Sequence, residues 1–252
     1  MGAKSVFATL LLEVGNTAWK VAAYRPHQQP EFLQRGYGFE ALKAYLQQQV
    51  FADLALASVA ASELTDNLRQ FAQQQNKKLV IAETQAGFGI AHCYANPSTY
   101  GVDRWLTLLA ARAAQTNAII IDAGTAVTLD VMDDQGRHLG GWISPGFKLM
   151  QEALLQRSSK LRVATQAPSE TLGTSTENAV YLGCQAALRG FVEQALQQSQ
   201  PKLADTRTVV YLTGGDLDLI PEETFERFVY QVQRRPHLVL EGLSRWFEQR
   251  PE

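Results

Sequence analysis

Short apolar runs that end on an acid and a glycine occur twice in this chain. The first is LLLEVGNTAWKVA, centred on Glu13, Gly15, Asn16 and Thr17, and the second is IIIDAGTAVTLDV, centred on Asp122, Gly124 and Thr125. Apolar runs of this length, bounded by a glycine turn, predict buried strands followed by a tight reversal. After the first turn TAWKVAAY continues as a strand, HQQP marks a loop, and EFLQRGY completes a three-strand meander. The spacing then changes to that of a helix, with Leu42, Tyr45 and Leu46 on one face of FEALKAYLQQQV and Leu64, Leu68 and Phe71 on one face of ASELTDNLRQF. ADLALASV and KKLVIAE read as strands around the second of these helices. The order then repeats: IIIDAGT, TLDVMD, a DDQG turn, HLGGWIS and a helix. Val180, Cys184, Ala187, Phe191 and Ala195 predict an apolar stripe on a long helix starting near Thr176, VVYLTGG a buried strand, and LSRWFEQ a last helix. Strand, turn, meander and alternating helices in each half predict mixed α/β sheets covered by helices.

Composition narrows the function classes. With 252 residues and 46% hydrophobic content, the chain can bury one large core or two small ones, and a repeat over a hundred residues apart favours two. The formal net charge is −2 with no basic stripe, which argues against nucleic acid as a partner. Cys93 and Cys184 are the only cysteines and form no CxxC, and the four histidines are scattered, so the expectation is a reducing, cytoplasmic compartment without a disulfide framework or zinc site. MGAKSVFATLLLEV reads as the first strand rather than a signal peptide, and no eighteen-residue apolar run predicts a membrane span. GxxxxGK[ST] is absent, and Gly87 and Gly89 lack the third glycine of GxGxxG, so neither a P-loop nor a Rossmann site is predicted.

The repeated turn suits phosphate. Each acid emerges at the carboxyl end of its strand, and the glycine lets main-chain amides approach an anion. The acid itself is better matched to a hydrated metal ion carried by a nucleotide. Between the two copies, YANPSTYGVDRWLTLLAAR delivers Gly101, Asp103 and Arg104 to the start of a helix. Asp103 fits two descriptions: a helix N-cap, or a carboxylate that accepts a proton from an attacking hydroxyl while Arg104 holds an anionic group bidentately.

These segments resemble the type III pantothenate kinases, a family of the acetate and sugar kinase, Hsp70 and actin superfamily. EVGNTAWK resembles the family's first phosphate motif DxGNTxxK, YANPSTYGVDRW its substrate and dimer segment, and IIIDAGTAVTLD its second phosphate motif; GGWISPG, TSTENA and LTGGD follow in family order. The resemblance implies a duplicated actin-like, ribonuclease H-like α/β fold: two mixed-sheet halves flanked by helices, residues 1–115 and 116–252, with the active cleft between them. It implies transfer of the ATP γ-phosphoryl group to pantothenate at the start of coenzyme A biosynthesis, by a homodimer with the substrate pocket at its interface. Asp103 would be the catalytic base. Tyr94, Gly101, Val102, Asp103, Arg104 and Thr176 would bind substrate. Glu13, Val14, Gly15, Asn16, Thr17, Ala18, Trp19, Lys20 and Thr125 would bind ATP. Asp122 would hold a monovalent cation, potassium or ammonium, and Glu13 would meet magnesium indirectly. The departure is Glu13, where the family motif has Asp. One methylene moves the carboxylate by roughly 1 Å, and a water-mediated magnesium contact absorbs it, so activity is expected to survive. The competing description is a nucleotide-binding regulator that keeps the fold without the turnover.

Overall fold

The computed structural model describes residues 6–157, 161–203, 207–228 and 230–250. The chain forms two units, one containing the residues up to Ala114 together with those from His237 onward, the other Gln115–Pro236.

In the first unit, β1 (Val6–Val14), β2 (Trp19–Tyr24) and β3 (Glu31–Gly36) form the meander, followed by α1 (Phe39–Gln48), β4 (Val50–Ser58), α2 (Ser62–Gln74), β5 (Lys78–Ile81) and α3 (Val102–Arg112). The sheet order is β3-β2-β1-β4-β5, with the hairpin pairs antiparallel and β4 and β5 parallel to β1. Side-chain alternation along a strand divides this sheet into two faces. Leu10, Leu12, Val14, Trp19 and Val21 pack with Leu42 and Leu46 of α1 and Leu68 and Phe71 of α2. Leu11, Glu13 and Lys20 therefore point to the other face, where α3 packs on β4 and the last helix packs on β1 and β4.

In the second unit the order is β6 (Asn117–Ala123), β7 (Ala126–Met132), β8 (His138–Pro145), α4 (Phe147–Arg157), α5 (Thr176–Ser199), β9 (Thr208–Thr213), the one-turn α6 (Glu223–Glu226) and β10 (Gln231–Arg234). Its sheet reads β10-β9-β6-β7-β8, the same topology strand for strand, with β9 parallel to β6 and β7 and β8 antiparallel. The two mixed five-stranded sheets carry the duplicated fold read from the sequence. One face of this sheet, formed by Ile119, Ile121, Ala123, Val127, Leu129 and Val131, packs on α5. The buried line on α5 is Tyr181, Cys184, Leu188, Val192, Ala195 and Leu196. It is rotated by about one residue from the predicted stripe: Val180 and Phe191 flank it and Ala187 is exposed. The larger side chains at 181, 188, 192 and 196 supply more apolar area than the alanine, so they set which face is buried.

The last helix, α7 (Leu238–Gln249), lies outside the second unit, although the expected second half runs to 252. It belongs to the first unit rather than the second. Gly242 lies so close to α3 that a Cβ there would collide with the main-chain carbonyl of Leu106, and Leu238, Leu243 and Trp246 are buried. Small residues permit this approach of two helix backbones. No helix among the described residues is long and apolar enough to cross a membrane.

Candidate active site

In the first unit the glycine turn between β1 and β2 closes with the Gly15 amide donating to the Ala18 carbonyl at 3.0 Å, leaving Asn16 and Thr17 exposed at its tip. Glu13 and Lys20 are cross-strand partners, and the Lys20 Nζ donates to Glu13 Oε1 at 3.0 Å and Oε2 at 3.3 Å. Both side chains are less than one-fifth exposed, so Glu13 and Lys20 form a largely enclosed ion pair on the α7 face. Val14 and Trp19 point the opposite way. Trp19 meets Tyr45 at a tilt with ring centroids 5.9 Å apart, donates from Nε1 to the Gly38 carbonyl at 3.0 Å and lies against Gly36, where a Cβ would collide with its ring. The side chains of Val14 and Trp19 are thus core. His237, directly before α7, stacks on Phe32 with ring centroids 4.1 Å apart. Burial, and then the nearby Lys20 charge, hold its pKa below the ordinary value against the opposing pull of Glu13 and Glu241.

The segment before α3 builds a second cluster in the same unit. The helix N-cap is Gly101, which offers no side-chain cap, and Asp103 stands inside the first turn. Asp103 Oδ1 folds back to accept from the Arg104 amide at 2.8 Å, satisfying one of the donors that every helix start leaves open. Asp103 is therefore not the N-cap, although one of its oxygens supports the helix end. Gly101 is matched to that carboxylate, since a Cβ there would lie 2.7 Å from Asp103 Oδ1. Val102 is buried. Arg104 is also buried, at 6% exposure, an unusual place for a guanidinium. Its Nη1 donates to the Tyr94 hydroxyl at 3.2 Å, and its Cζ lies 4.9 Å from the Tyr100 ring centroid. Tyr94 and Tyr100 are 4.7 Å apart, and the Tyr100 carbonyl accepts from the Thr84 hydroxyl at 2.7 Å. Tyr100 was not singled out from the sequence; its place directly before GVDR was the available signal.

In the second unit the turn is tighter, with the Gly124 amide donating to the Ala126 carbonyl at 3.0 Å. Asp122 is opposite Thr128 on β7, where the first copy has lysine, and it faces away from α5. Two main-chain segments converge on this turn. The Gly146 amide, just ahead of α4, donates to the Thr125 carbonyl at 2.9 Å, and a Cβ at 146 would collide with the Gly124 carbonyl. The Asp216 amide donates to the Ala123 carbonyl at 2.9 Å. Gly214 has φ 104, a conformation that favours glycine, and a Cβ there would lie 2.6 Å from Asp122 Oδ1. Asp122 Oδ1 thus lies against the main chain of Gly214, and the turn's own carbonyls at 123 and 125 each accept a main-chain amide. Among the described residues no group of three or more His, Cys, Asp or Glu could hold a metal ion. A carboxylate is a hard oxygen donor and fits an alkali or ammonium ion better than a soft transition metal. Gly146 and Gly214 lay in segments noted in the sequence but without an assigned site role.

Thr176 is the first residue of α5 and is exposed. The N-cap there is Ser175, whose hydroxyl accepts from the Asn178 amide at 3.2 Å, so Thr176 is not the cap. The geometry therefore joins Tyr94, Gly101, Asp103 and Arg104 in one cluster, Glu13 and Lys20 in another, and Asp122 with Thr125 in a third. Thr176 stands on a separate helix start.

The family model for type III pantothenate kinase matches residues 9–198. The chain is 34% identical over 244 residues to a type III pantothenate kinase of Pseudoalteromonas atlantica, covering 93% of this chain and 95% of that protein. It is 32% identical over 251 residues to one of Colwellia psychrerythraea, covering 94% and 99%. Among solved structures, a conserved Baf family protein of Campylobacter jejuni matches at 20% identity and TM-score 0.59, covering 95% of this chain and 98% of that one. An archaeal actin homolog matches at 10% identity and TM-score 0.50, covering 97% and 100%. These two likenesses carry the fold, and the sequence matches carry the descent: the chain belongs to the type III pantothenate kinase family.

Proposed function

We propose that the chain transfers the γ-phosphoryl group of ATP to the primary hydroxyl of pantothenate, giving 4'-phosphopantothenate and ADP at the first step of coenzyme A biosynthesis. The observation that carries this reading is the start of α3, where a carboxylate inside the first turn stands beside a guanidinium buried among tyrosines. A mere helix cap would explain the carboxylate but not the buried cation. Asp103 accepts the proton of the attacking hydroxyl as its oxygen bonds to the γ-phosphorus and the bond to the bridging oxygen of ADP breaks. Arg104, held by Tyr94 and Tyr100, binds an oxygen-bearing group of pantothenate, with Gly101, Val102 and Thr176 as further substrate residues. Desolvation by the rings makes such a cation hold an anionic partner more strongly than one in water.

Residues 13–20 and Thr125 take the ATP phosphates through the two glycine turns. Glu13, engaged by Lys20, is suited to an indirect, water-mediated contact with the magnesium that accompanies ATP. Asp122 is the residue for potassium or ammonium, which supplies positive charge near the transferring group when bound. Orientation and charge neutralisation are the main demands of phosphoryl transfer, and the Asp103–Arg104 pair and the two glycine turns supply residue types suited to both. The active form is a cytoplasmic homodimer with the substrate pocket at the subunit interface. The exposed Ile143 on edge strand β8, and Leu149, Leu154 and Leu155 on α4, are apolar side chains of the kind that self-association covers.

The test is a coupled assay of ADP release with magnesium, potassium and pantothenate. Activity should require all three, and replacing potassium by lithium should abolish most of it. Pantothenate-independent ADP release, or full activity without any monovalent cation, would reject the corresponding part of the reading. A monomer with full activity would reject the dimer.

A further inference from the structure

Glu170 lies outside every motif described above, yet it organises the approach to Thr176. Its Oε1 accepts from Asn178 Nδ2 at 2.6 Å, from the Thr174 hydroxyl at 3.3 Å and from the Thr174 amide at 3.5 Å. These bonds, that from Asn178 foremost, hold its carboxyl below the usual glutamate range, so the acceptor is a carboxylate. Asn178 is gripped twice, because its own amide donates to the Ser175 hydroxyl. Gly173 closes the remaining gap, with its main chain so near the first turn of α5 that a Cβ would collide with the Ala179 amide. Residues 173–175 are thereby stitched onto the helix immediately before Thr176, which itself stays exposed.

An exposed loop of glycine, threonine and serine has little intrinsic reason to keep one conformation. Here a single carboxylate ties its first residues to the helix eight positions on. The direction in which Thr176 presents its hydroxyl follows from where residues 173–175 enter the helix. We propose that Glu170 is a positioning residue for pantothenate recognition, acting through Thr176; this rests on the reading of Thr176 as a substrate residue. A positioning role predicts a selective signature. Losing the clasp loosens the hydroxyl that meets pantothenate without altering the base on α3 or the glycine turns.

The experiment compares steady-state constants of the full chain with Glu170→Ala, Glu170→Gln, Asn178→Ala, the Glu170→Ala/Asn178→Ala pair and Thr176→Val. Glu170→Ala should raise KM for pantothenate on the order of 10-fold, less than the ~10²-fold that a 1 Å misplacement costs at the reacting atoms themselves. KM for ATP and kcat should stay within about 2-fold of the parent, as befits loss of ground-state binding alone. Glu170→Gln, which keeps an oxygen acceptor for Asn178, should recover most of the loss. Asn178→Ala should match Glu170→Ala, and the pair should be no worse than either alone, because both remove the same clasp. A parental pantothenate KM in Glu170→Ala, a common loss in kcat and both KM values, additive effects in the pair, or no recovery in Glu170→Gln would each overturn the proposal. If Thr176→Val leaves the pantothenate KM unchanged, the substrate reading of Thr176 itself fails. If Thr176→Val raises it and Glu170→Ala does not, only the positioning role of Glu170 fails.

Discussion

Replacing Gly101 by alanine separates the two roles open to Asp103. The main chain at 101, φ −56 and ψ 132, is open to any residue, so the substitution brings no backbone strain. The side chain of Asp103 is what it disturbs. A Cβ at 101 would stand 2.7 Å from Oδ1, whereas ordinary contact begins near 3.4 Å, so the carboxylate must retreat by about 0.7 Å or turn away from the Arg104 amide. Alanine restricts the unfolded chain and stabilises by about 0.4–1 kcal/mol. The weakened hydrogen bond at the helix end offsets this by about 0.5–1.5 kcal/mol. Net stability should thus change by less than about 1 kcal/mol, the near-cancellation of two small effects. Catalysis has no such cancellation. A misplacement of 1 Å costs about 10²-fold, so a shift of this size should lower kcat roughly 10- to 50-fold. The assay is coupled ADP release at saturating ATP and pantothenate, alongside thermal unfolding of the same preparation. Unchanged kcat in a protein of unchanged stability would show that the place of the Asp103 carboxylate is immaterial to turnover, leaving it a helix-end group only.

The ion pair of the first turn gives a second test: Lys20→Met should cost about 1–2 kcal/mol, between an exposed and a buried pair, because it leaves the Glu13 carboxylate largely enclosed. Adding Glu13→Gln should restore most of that stability in a denaturant titration, and a purely additive double variant would show that the pair is not coupled. Acid should expose His237. Its folded pKa lies below the unfolded 6.5, so the unfolded chain binds the proton first; the contribution is complete above pH 6.5 and lost as pH falls from there towards the folded value. His237→Phe retains a ring on Phe32 and should flatten that part of the stability profile between pH 7 and 5; an identical profile in the variant would remove His237 as its source.

Much of this architecture was legible because local pattern and tertiary role coincide. The repeated strand, acid and glycine phrase announces a duplicated sheet, and the sheets do share one strand order. Where burial depends on partners distant in sequence, the pattern was insufficient. Strand β10, QVQR, has a single apolar residue and forms by pairing with β9 rather than by its own periodicity. The packing of α7 on α3 involves the close approach of Gly242 to Leu106, a contact across more than a hundred residues. On α5 the choice between two overlapping stripes went to the bulkier one. For the candidate site, motif order singled out Asp103, Arg104 and Asp122. The partition of residues 13–20 required the strand faces: alternation sends Glu13 and Lys20 to the α7 side and Val14 and Trp19 into the core. The Tyr100 ring over Arg104, and the approach of Gly146 and Gly214 to the second turn, are relations that spacing alone does not display.

The central claim is phosphoryl transfer to pantothenate with Asp103 as base, and phosphorus NMR of the reaction mixture observes that transfer directly. Purified protein incubated with ATP, magnesium, potassium and pantothenate should yield 4'-phosphopantothenate in step with ADP, and Asp103→Asn, equally folded, should yield it about 10²- to 10⁴-fold more slowly. Absence of the phosphomonoester from the folded parent chain, or its formation at an undiminished rate by Asp103→Asn, would contradict the account.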